Sequence, residues 1–376
     1  MENEQYQFNI IFDNVKEQLL IIINKKKTIK ELIELYFEKK KKSNLLADNF
    51  EHIYFIYNGK YLRYKNNLQT VESFFGSNQT PTILVQRLEY YNDLTDYKEE
   101  EVIKDNVLTL VYKAKRKNDD YPNKYVAIKK IKKDALKEEL KIKLRKNDIN
   151  KEDFKEEIVK FNRELKNMDK CYCENTVKLY DYFDTDKYFI IIMELCDNNL
   201  FYELCNTKSG FNVEQVKDIL LQLNNVFKKM HEKHISHRDI KINNILVKYL
   251  NKQKTKFKVL LSDYGVSNQL SSMTQNYTTH AGSPIIMAPE ILEGEDYNDK
   301  CDIWSLGITI YYLYNKDLPY KGNCEAKILK NIKKLGLSVL DKINNTNLKD
   351  LLSKMLKFDP DERISWDDYF KHPFFK

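Results

Sequence analysis

A change of character along the chain constrains its fold most. Short apolar, strand-like segments recur as far as residue 195, and helical spacing takes over beyond residue 210. In that second region Val216, Ile219, Leu220, Leu223, Val226 and Phe227 repeat at the spacing of a single buried helix face. Between 102 and 195 the expected strands are 107–115, 125–131, 178–183 and 188–194, with a charged, helix-prone stretch over 132–167. Strands gathered before helices, instead of alternating with them, predict an α+β fold. No internal repeat is visible.

Composition enters where it excludes alternatives. A chain of 376 residues with 26 Tyr and 19 Phe has ample material for a buried core and is not a disordered or fibrous protein. The net charge of +7 comes from 63 basic and 56 acidic residues spread along the whole sequence. That is no nucleic-acid footprint, which needs basic residues clustered on one face, so no nucleic-acid partner is expected. Only seven of the 63 basic residues are Arg, so each retained Arg is a candidate for its planar, two-pronged hydrogen bonding. The six Cys show neither a pairing pattern nor zinc-ligand spacing, and reduced thiols in the cytoplasm or nucleus are expected. The N-terminus is polar and acidic and does not read as a signal peptide. The apolar runs are far shorter than the ~20 residues of a membrane span, and none is expected.

Residues 1–90 read as a separate small unit. Expected strands are 8–12, 19–23, 53–57, one starting at Tyr61, and 82–86. Thr28 and Glu31 form a capping-box pattern at the start of a helix with Leu32, Ile33, Leu35 and Phe37 on its apolar face. Asn58-Gly59 is a strong hairpin signal. This ββαββ order with a final strand resembles ubiquitin and its β-grasp relatives. No Gly-Gly terminus follows Arg87, so the resemblance implies a built-in docking domain with a protein partner, not a conjugated modifier. Residues 91–101 are polar and acidic and are expected to be a linker.

Four motifs then follow in order: Val126-Ala127-Ile128-Lys129, His237-Arg238-Asp239 with Asn244 five residues after the Asp, Asp263-Tyr264-Gly265, and Ala288-Pro289-Glu290. Together they resemble the eukaryotic protein-kinase set, and Lys241 resembles its serine/threonine version. The resemblance implies a bilobal kinase domain over 102–376, with a β-rich N-lobe at 102–195 and a helical C-lobe at 197–376. It implies ATP and Mg²⁺ as cofactors and protein Ser/Thr hydroxyls as acceptors.

Phosphoryl transfer asks for positioning and charge neutralisation more than covalent chemistry, which explains the residue types. By the resemblance, Lys129 holds the α- and β-phosphates. Glu164, thirteen residues before Val177, orients that Lys, with Glu156 and Glu157 as rivals. Asp239 takes or orients the substrate proton, and Lys241 steadies the γ-phosphate. Asn244 and Asp263 are oxygen ligands for Mg²⁺. Met193 is the gatekeeper of a hinge whose Glu194 and Cys196 backbone groups face adenine. Val111, Ala127 and Leu246 sandwich the base, and Asn199 lies near the ribose. Asp302 braces the catalytic loop, and Glu290 pairs with Arg363. Thr279 occupies the usual phosphosite, where a phosphate would order its loop against Arg238, expected to be a buried-leaning cation.

Three departures stand out. Tyr264 replaces the usual Phe, and Ile242 replaces the usual Pro. More seriously, the family's glycine-rich loop falls on Lys104 to Val111, with Lys104, Asn106 and Thr109 at the glycine positions, and no Gly occurs between Gly76 and Gly210. The loop is therefore expected to stand away from the phosphates, with Lys104 compensating by charge and Thr109 by its hydroxyl. The expected function is a serine/threonine protein kinase with a docking module; the alternative is a pseudokinase scaffold or adaptor that binds nucleotide weakly. Asn199 and Asn243, where acidic residues select basic substrates, predict no strong preference for upstream Arg, and Ile286-Met287 predicts none for a following Pro.

Overall fold

The structure is a computed structural model. It describes residues 5–12, 15–24, 26–28, 31–33, 35, 36, 38, 53–57, 60–62, 70, 71, 82–87, 94, 97–117, 124–144, 150, 154, 165, 168, 170–263, 283–295 and 297–376. By internal packing the chain divides into two units: Met1–Lys98 with Arg116–Asp120 and Tyr180–Ile192, and Glu99–Lys115 with Tyr121–Leu179 and Met193–Lys376.

In the first unit β1 (Gln5–Phe12), β2 (Val15–Asn24), β3 (Ile53–Tyr57), β4 (Lys60–Leu62) and β5 (Thr82–Arg87) form one sheet in the order β2-β1-β5-β3-β4. β1 runs antiparallel to β2 and parallel to β5, with Asn9 opposite Thr82. β1 and β2 extend beyond their apolar centres, because the backbone ladder continues through polar pairs such as Gln5 opposite Asn24. β3 and β4 pair with Tyr57 opposite Lys60; Asn58 and Gly59 lie outside the described residues. Thr28 and Glu31 make the reciprocal capping box: Glu31 N donates to Thr28 Oγ1 at 3.2 Å and Thr28 N to Glu31 Oε2 at 2.8 Å. The helical residues that follow bury Leu32, Ile33 and Tyr36, while Leu35 is half-buried and Phe37 is outside the described set. The strands β9 (Leu179–Asp184) and β10 (Tyr188–Glu194) are neighbours joined by a turn that Thr185 closes through its hydroxyl.

In the second unit β6 (Tyr97–Asp105), β7 (Thr109–Arg116) and β8 (Tyr125–Lys132) lie side by side in that order. Residues 97–101, expected as linker, are therefore strand. Their charges hid it: β6 is exposed at every position after Tyr97, and ion pairs to β7 and β8 replace the apolar alternation a sequence reading looks for. α1 (Lys133–Leu144) follows. A small sheet of β11 (Asn198–Asn199), β12 (Ile245–Tyr249) and β13 (Phe257–Leu261) brackets the loop His237–Asn244.

Among the described residues the α-helices that follow are α2 (Leu200–Cys205), α3 (Val213–Glu232), α4 (Pro289–Leu292), α5 (Lys300–Asn315), α6 (Glu325–Leu335), α7 (Thr346–Met355) and α8 (Trp366–Phe370). α3 opens on an Asn212–Gln215 capping box and buries Val216, Ile219, Leu220, Leu223, Val226 and Phe227, the face read from its spacing. α5 is buried around its whole circumference from Cys301 to Tyr311, which makes it the rigid axis on which Asp302 is mounted. Gly210 must be glycine: its φ is +95°, and a Cβ would stand 2.3 Å from Tyr314 O.

Candidate active site

The loop His237–Asn244 is held from beneath by α5. Asp302 Oδ2 accepts from His237 N at 2.6 Å and Oδ1 from Arg238 N at 2.7 Å. The clamp has a purpose, because Arg238 sits at φ 66°, a left-handed conformation that a non-glycine residue keeps only when its surroundings enforce it. Burial pushes the Asp302 carboxyl up to about 6, against the two backbone donors that favour its charge. His237 is buried, its Nδ1 accepting from Asp239 N at 3.3 Å and its Nε2–H donating to Ser262 O at 3.0 Å. Burial holds this imidazole down to about 4, so it is a neutral spacer. Ser262 returns the contact by donating its N–H and hydroxyl to Asn244 O, each at 2.9 Å.

These contacts assemble three charged and polar groups. Asp239 Oδ2 is 2.8 Å from Lys241 Nζ and accepts from Asn244 Nδ2 at 2.5 Å. Asn244 Nδ2 also donates to Asp239 O at 2.9 Å, which leaves its Oδ1 as the oxygen available to a cation. Burial raises the Asp239 carboxyl above its ordinary range while Lys241 and Asn244 pull it down. Asp263, at φ 57°, faces Lys129, whose Nζ lies 2.5 Å from Oδ1. Burial alone would raise the Asp263 carboxyl, but Lys129, with Lys104 and Lys241, holds it down to about 2. An ionised carboxylate and an amide oxygen are hard donors that suit Mg²⁺, which completes its shell with water and substrate phosphates.

Ala127, Val177, Met193 and Leu260 form a buried apolar cluster with Leu195, Cys196 and Leu246 packed against it. Val111 is half-buried opposite Lys129, and Asn199 pairs with Leu246 between β11 and β12. The Glu194 N–H is taken by Lys178 O at 2.8 Å, so what Glu194 offers a base is its carbonyl. Its side chain binds Lys248. Asn199 Oδ1 caps α2 by accepting from Tyr202 N at 2.9 Å. Burial pushes the Cys196 thiol up to about 12, so it acts as a small apolar side chain. Sequence reasoning passed over Val177, Leu260 and Ser262 as site components; Ser262 stands directly before Asp263, and that adjacency was the available signal.

Glu290 and Arg363 make a two-pronged pair at 2.8 and 2.9 Å, with side chains 2% and 0% exposed. The guanidinium also donates to Lys300 O at 2.9 Å and lies over the Trp304 ring. Arg238 differs from expectation. It is exposed, not buried, because Asp302 fixes its backbone while its guanidinium lies outward, 5.6 Å from the Tyr297 ring centroid. Glu164, its rivals Glu156 and Glu157, Tyr264 and Thr279 lie outside the described residues.

The glycine-free loop also differs. Asn106 N donates to Thr109 O at 2.9 Å, and Asn106 Oδ1 accepts from Thr109 N at 2.6 Å and Thr109 Oγ1 at 2.9 Å. Thr109 is 4% exposed. Its hydroxyl is therefore not a phosphate donor; an Asn at the second glycine position has captured it together with the neighbouring amide.

The protein kinase domain family model matches residues 97–375, and the chain belongs to that family. Its sheet-rich N-terminal and helical C-terminal parts fit the bilobal kinase fold. The chain is 30% identical over 246 residues to serine/threonine-protein kinase 33 of Bos taurus, covering 62% of this chain and 49% of that protein. It is 31% identical over 225 residues to an Aurora kinase of Saccharomyces cerevisiae, covering 58% and 59%. Calcium-dependent protein kinase 3 of Plasmodium yoelii yoelii is 29% identical over 222 residues, covering 58% and 40%. The matches thus span about half the length of these relatives. No helix among the described residues is long and apolar enough to cross a membrane.

Proposed function

We propose that this protein transfers the γ-phosphoryl of ATP to Ser or Thr hydroxyls of protein substrates. One observation carries the reading: three segments far apart in sequence converge so that Asp239 is bound by Lys241 and Asn244 while Asp263 is bound by Lys129. In this reading Asp239 accepts the hydroxyl proton, and its burial-raised carboxyl suits a base. Lys241 supports the transferred group, Lys129 holds phosphate, and Asn244 and Asp263 would hold Mg²⁺, whose charge neutralises the phosphates when bound. The apolar cluster around Ala127, Cys196 and Leu246 takes the base. Thr279 is the activation phosphosite and Arg238 its partner.

The captured loop amide favours a second reading, a pseudokinase adaptor with weak nucleotide binding. One assay separates them: Mg·ATP turnover on a generic protein substrate, compared with Asp239→Asn and Asp263→Ala. Loss of turnover in both variants supports the enzyme, and equal rates in all three proteins leave only a binding module.

For residues 1–90 we infer a ubiquitin-like docking domain for a protein partner. Its support is the strand order β2-β1-β5-β3-β4 with β1 parallel to β5 and the capped helical segment after β2. A cytoplasmic location goes with the reduced thiols. Capture experiments comparing the full chain with a chain lacking residues 1–90 test the docking role: a binding protein lost with the segment supports it, and identical partners in both exclude it.

A further inference from the structure

The side-chain faces of β6 can be read from its ion pairs. Glu100 Oε2 lies 4.0 Å from Lys113 Nζ. Glu99 instead pairs with Lys130 at 2.9 Å, and Asp105 with Lys132 at 3.1 Å. Across β7 and β8, Val111 stands opposite Lys129 and Lys113 opposite Ala127. Residues two apart on a strand share a face. Glu100 and Lys104 therefore lie on the face that carries Lys113, Val111, Ala127 and Lys129, while Glu99 and Asp105 lie on the other. The agreement at both ends of β6 excludes a register slip between them.

The charges that act on the Lys104 ammonium are those of Asp263, Lys129, Lys241 and Asp239. They are the four ionisable groups of the catalytic cluster. Desolvation is the largest influence on Lys104 and draws its ammonium below the ordinary lysine range. Lys104 is exposed on an edge strand, on the face that carries Lys129, whose Nζ binds Asp263, so its long side chain can reach toward that cluster.

We propose that Lys104 is a nucleotide-contacting residue: its ammonium is a third phosphate-binding cation beside Lys129 and Lys241, directed to the γ-phosphoryl of ATP. The inference rests on the kinase reading of this site. The choice of phosphate follows from the neighbours. Lys129 and Asp263 mark the side on which phosphates and Mg²⁺ are held, and Asp239 and Lys241 mark the side of the acceptor hydroxyl. A cation that faces both pairs lies where the transferred group passes. A mobile ammonium there replaces the Thr109 amide that Asn106 has withdrawn, and it distinguishes ATP from ADP because only ATP carries the group it contacts.

The test is direct binding to the full-length protein, measured by titration with Mg·ATP and with Mg·ADP, for wild type, Lys104→Met, Lys104→Arg and Lys129→Met. One charge-assisted contact corresponds to about tenfold or more in affinity. Lys104→Met is expected to weaken ATP by that factor while changing ADP by less than about threefold, and Lys104→Arg, which keeps the charge, to retain most of the ATP preference. An unchanged ATP/ADP ratio in Lys104→Met, or a gain in affinity for both nucleotides, overturns the proposal. Lys129→Met separates this failure from a wrong site. If it loses both nucleotides while Lys104→Met leaves the ratio untouched, only the role of Lys104 falls. If it binds both normally, the site assignment falls with it.

Discussion

Replacing Asn106 by Gly tests whether the closed loop limits nucleotide affinity. The side chain accepts two hydrogen bonds, from Thr109 N at 2.6 Å and Thr109 Oγ1 at 2.9 Å. Two such neutral bonds at about 0.5–1.5 kcal/mol each, with about 0.5–1 kcal/mol for the backbone freedom of glycine, make the variant about 1.5–4 kcal/mol less stable locally. The turn keeps its shape through contacts that spare this side chain: Lys132 N donates to Leu108 O at 2.8 Å, and Lys132 Nζ to Asn106 O at 2.9 Å. The released Thr109 N–H can then donate to a phosphate oxygen. A hydrogen bond to a charged group is worth about 1.5–3 kcal/mol, or roughly 10- to 150-fold in Kd, and loop ordering takes back part of it. The net expectation is about tenfold tighter Mg·ADP binding in a protein that melts at lower temperature. Calorimetric titration and thermal unfolding of the nucleotide-free protein measure the two effects. A lower melting temperature with unchanged or weaker binding refutes the idea that the captured amide limits affinity.

Three further outcomes follow from other contacts. Arg363→Lys keeps the charge but cannot reproduce the fork on Glu290 or all the carbonyl contacts, so unfolding in denaturant should shift by about 3–5 kcal/mol; a wild-type midpoint would deny the pair its structural role. His237 is held down to about 4 from the ordinary 6.5, so the unfolded chain takes up a proton that the folded chain refuses, and this residue's contribution to stability is lost as pH falls from about 6.5 to 4. The stability of wild type minus that of His237→Gln should shrink over that window, and a difference independent of pH would show that His237 is not the group responsible. Thr278→Ala combined with Thr279→Ala should depress kinase activity, and phosphatase treatment should do the same to wild type but not to the variant; undiminished turnover in the variant removes the proposed switch.

What was legible in the sequence depended on whether the physical signal is local. The Thr28–Glu31 box and the buried face of α3 are set by residues within a turn or two of each other, and spacing exposes them. β6 was missed because its stability comes from partners on other strands: Glu99 on Lys130 and Glu100 on Lys113 are acceptable in a strand only when those lysines are opposite. The candidate site residues could be picked out as motifs, and Asp302 was legible as the brace beneath the loop His237–Asn244, but the motifs do not show that Arg238 and Asp263 sit at positive φ or that Ser262 ties its N–H and hydroxyl to Asn244 O. The exposure of Arg238 and the capture of Thr109 were misread for the same reason: residue type gives the capacity of a side chain, and only its neighbours decide which capacity is used.

The loop and the catalytic cluster change in different directions, and that separation has a kinetic consequence. In the proposed kinase the groups retained, Asp239, Lys241, Asn244 and Asp263, would act where charge moves during transfer. The group withdrawn, the Thr109 amide tied to Asn106, would act on phosphates that bind equally in ground and transition states. Losing uniform binding raises KM and leaves kcat in place, whereas losing a transition-state contact lowers kcat. The expected profile of the proposed kinase is therefore a high ATP requirement with turnover in the ordinary kinase range, about 1–100 per second when activated. Asn106→Gly should lower KM for ATP without raising kcat, and Lys241→Ala should lower kcat with little effect on KM. Steady-state rates over a range of ATP concentrations at saturating Mg²⁺ measure both. If Asn106→Gly raised kcat and left KM unchanged, the loop would be acting on the chemical step, and the division between binding and transfer drawn from these contacts would be wrong.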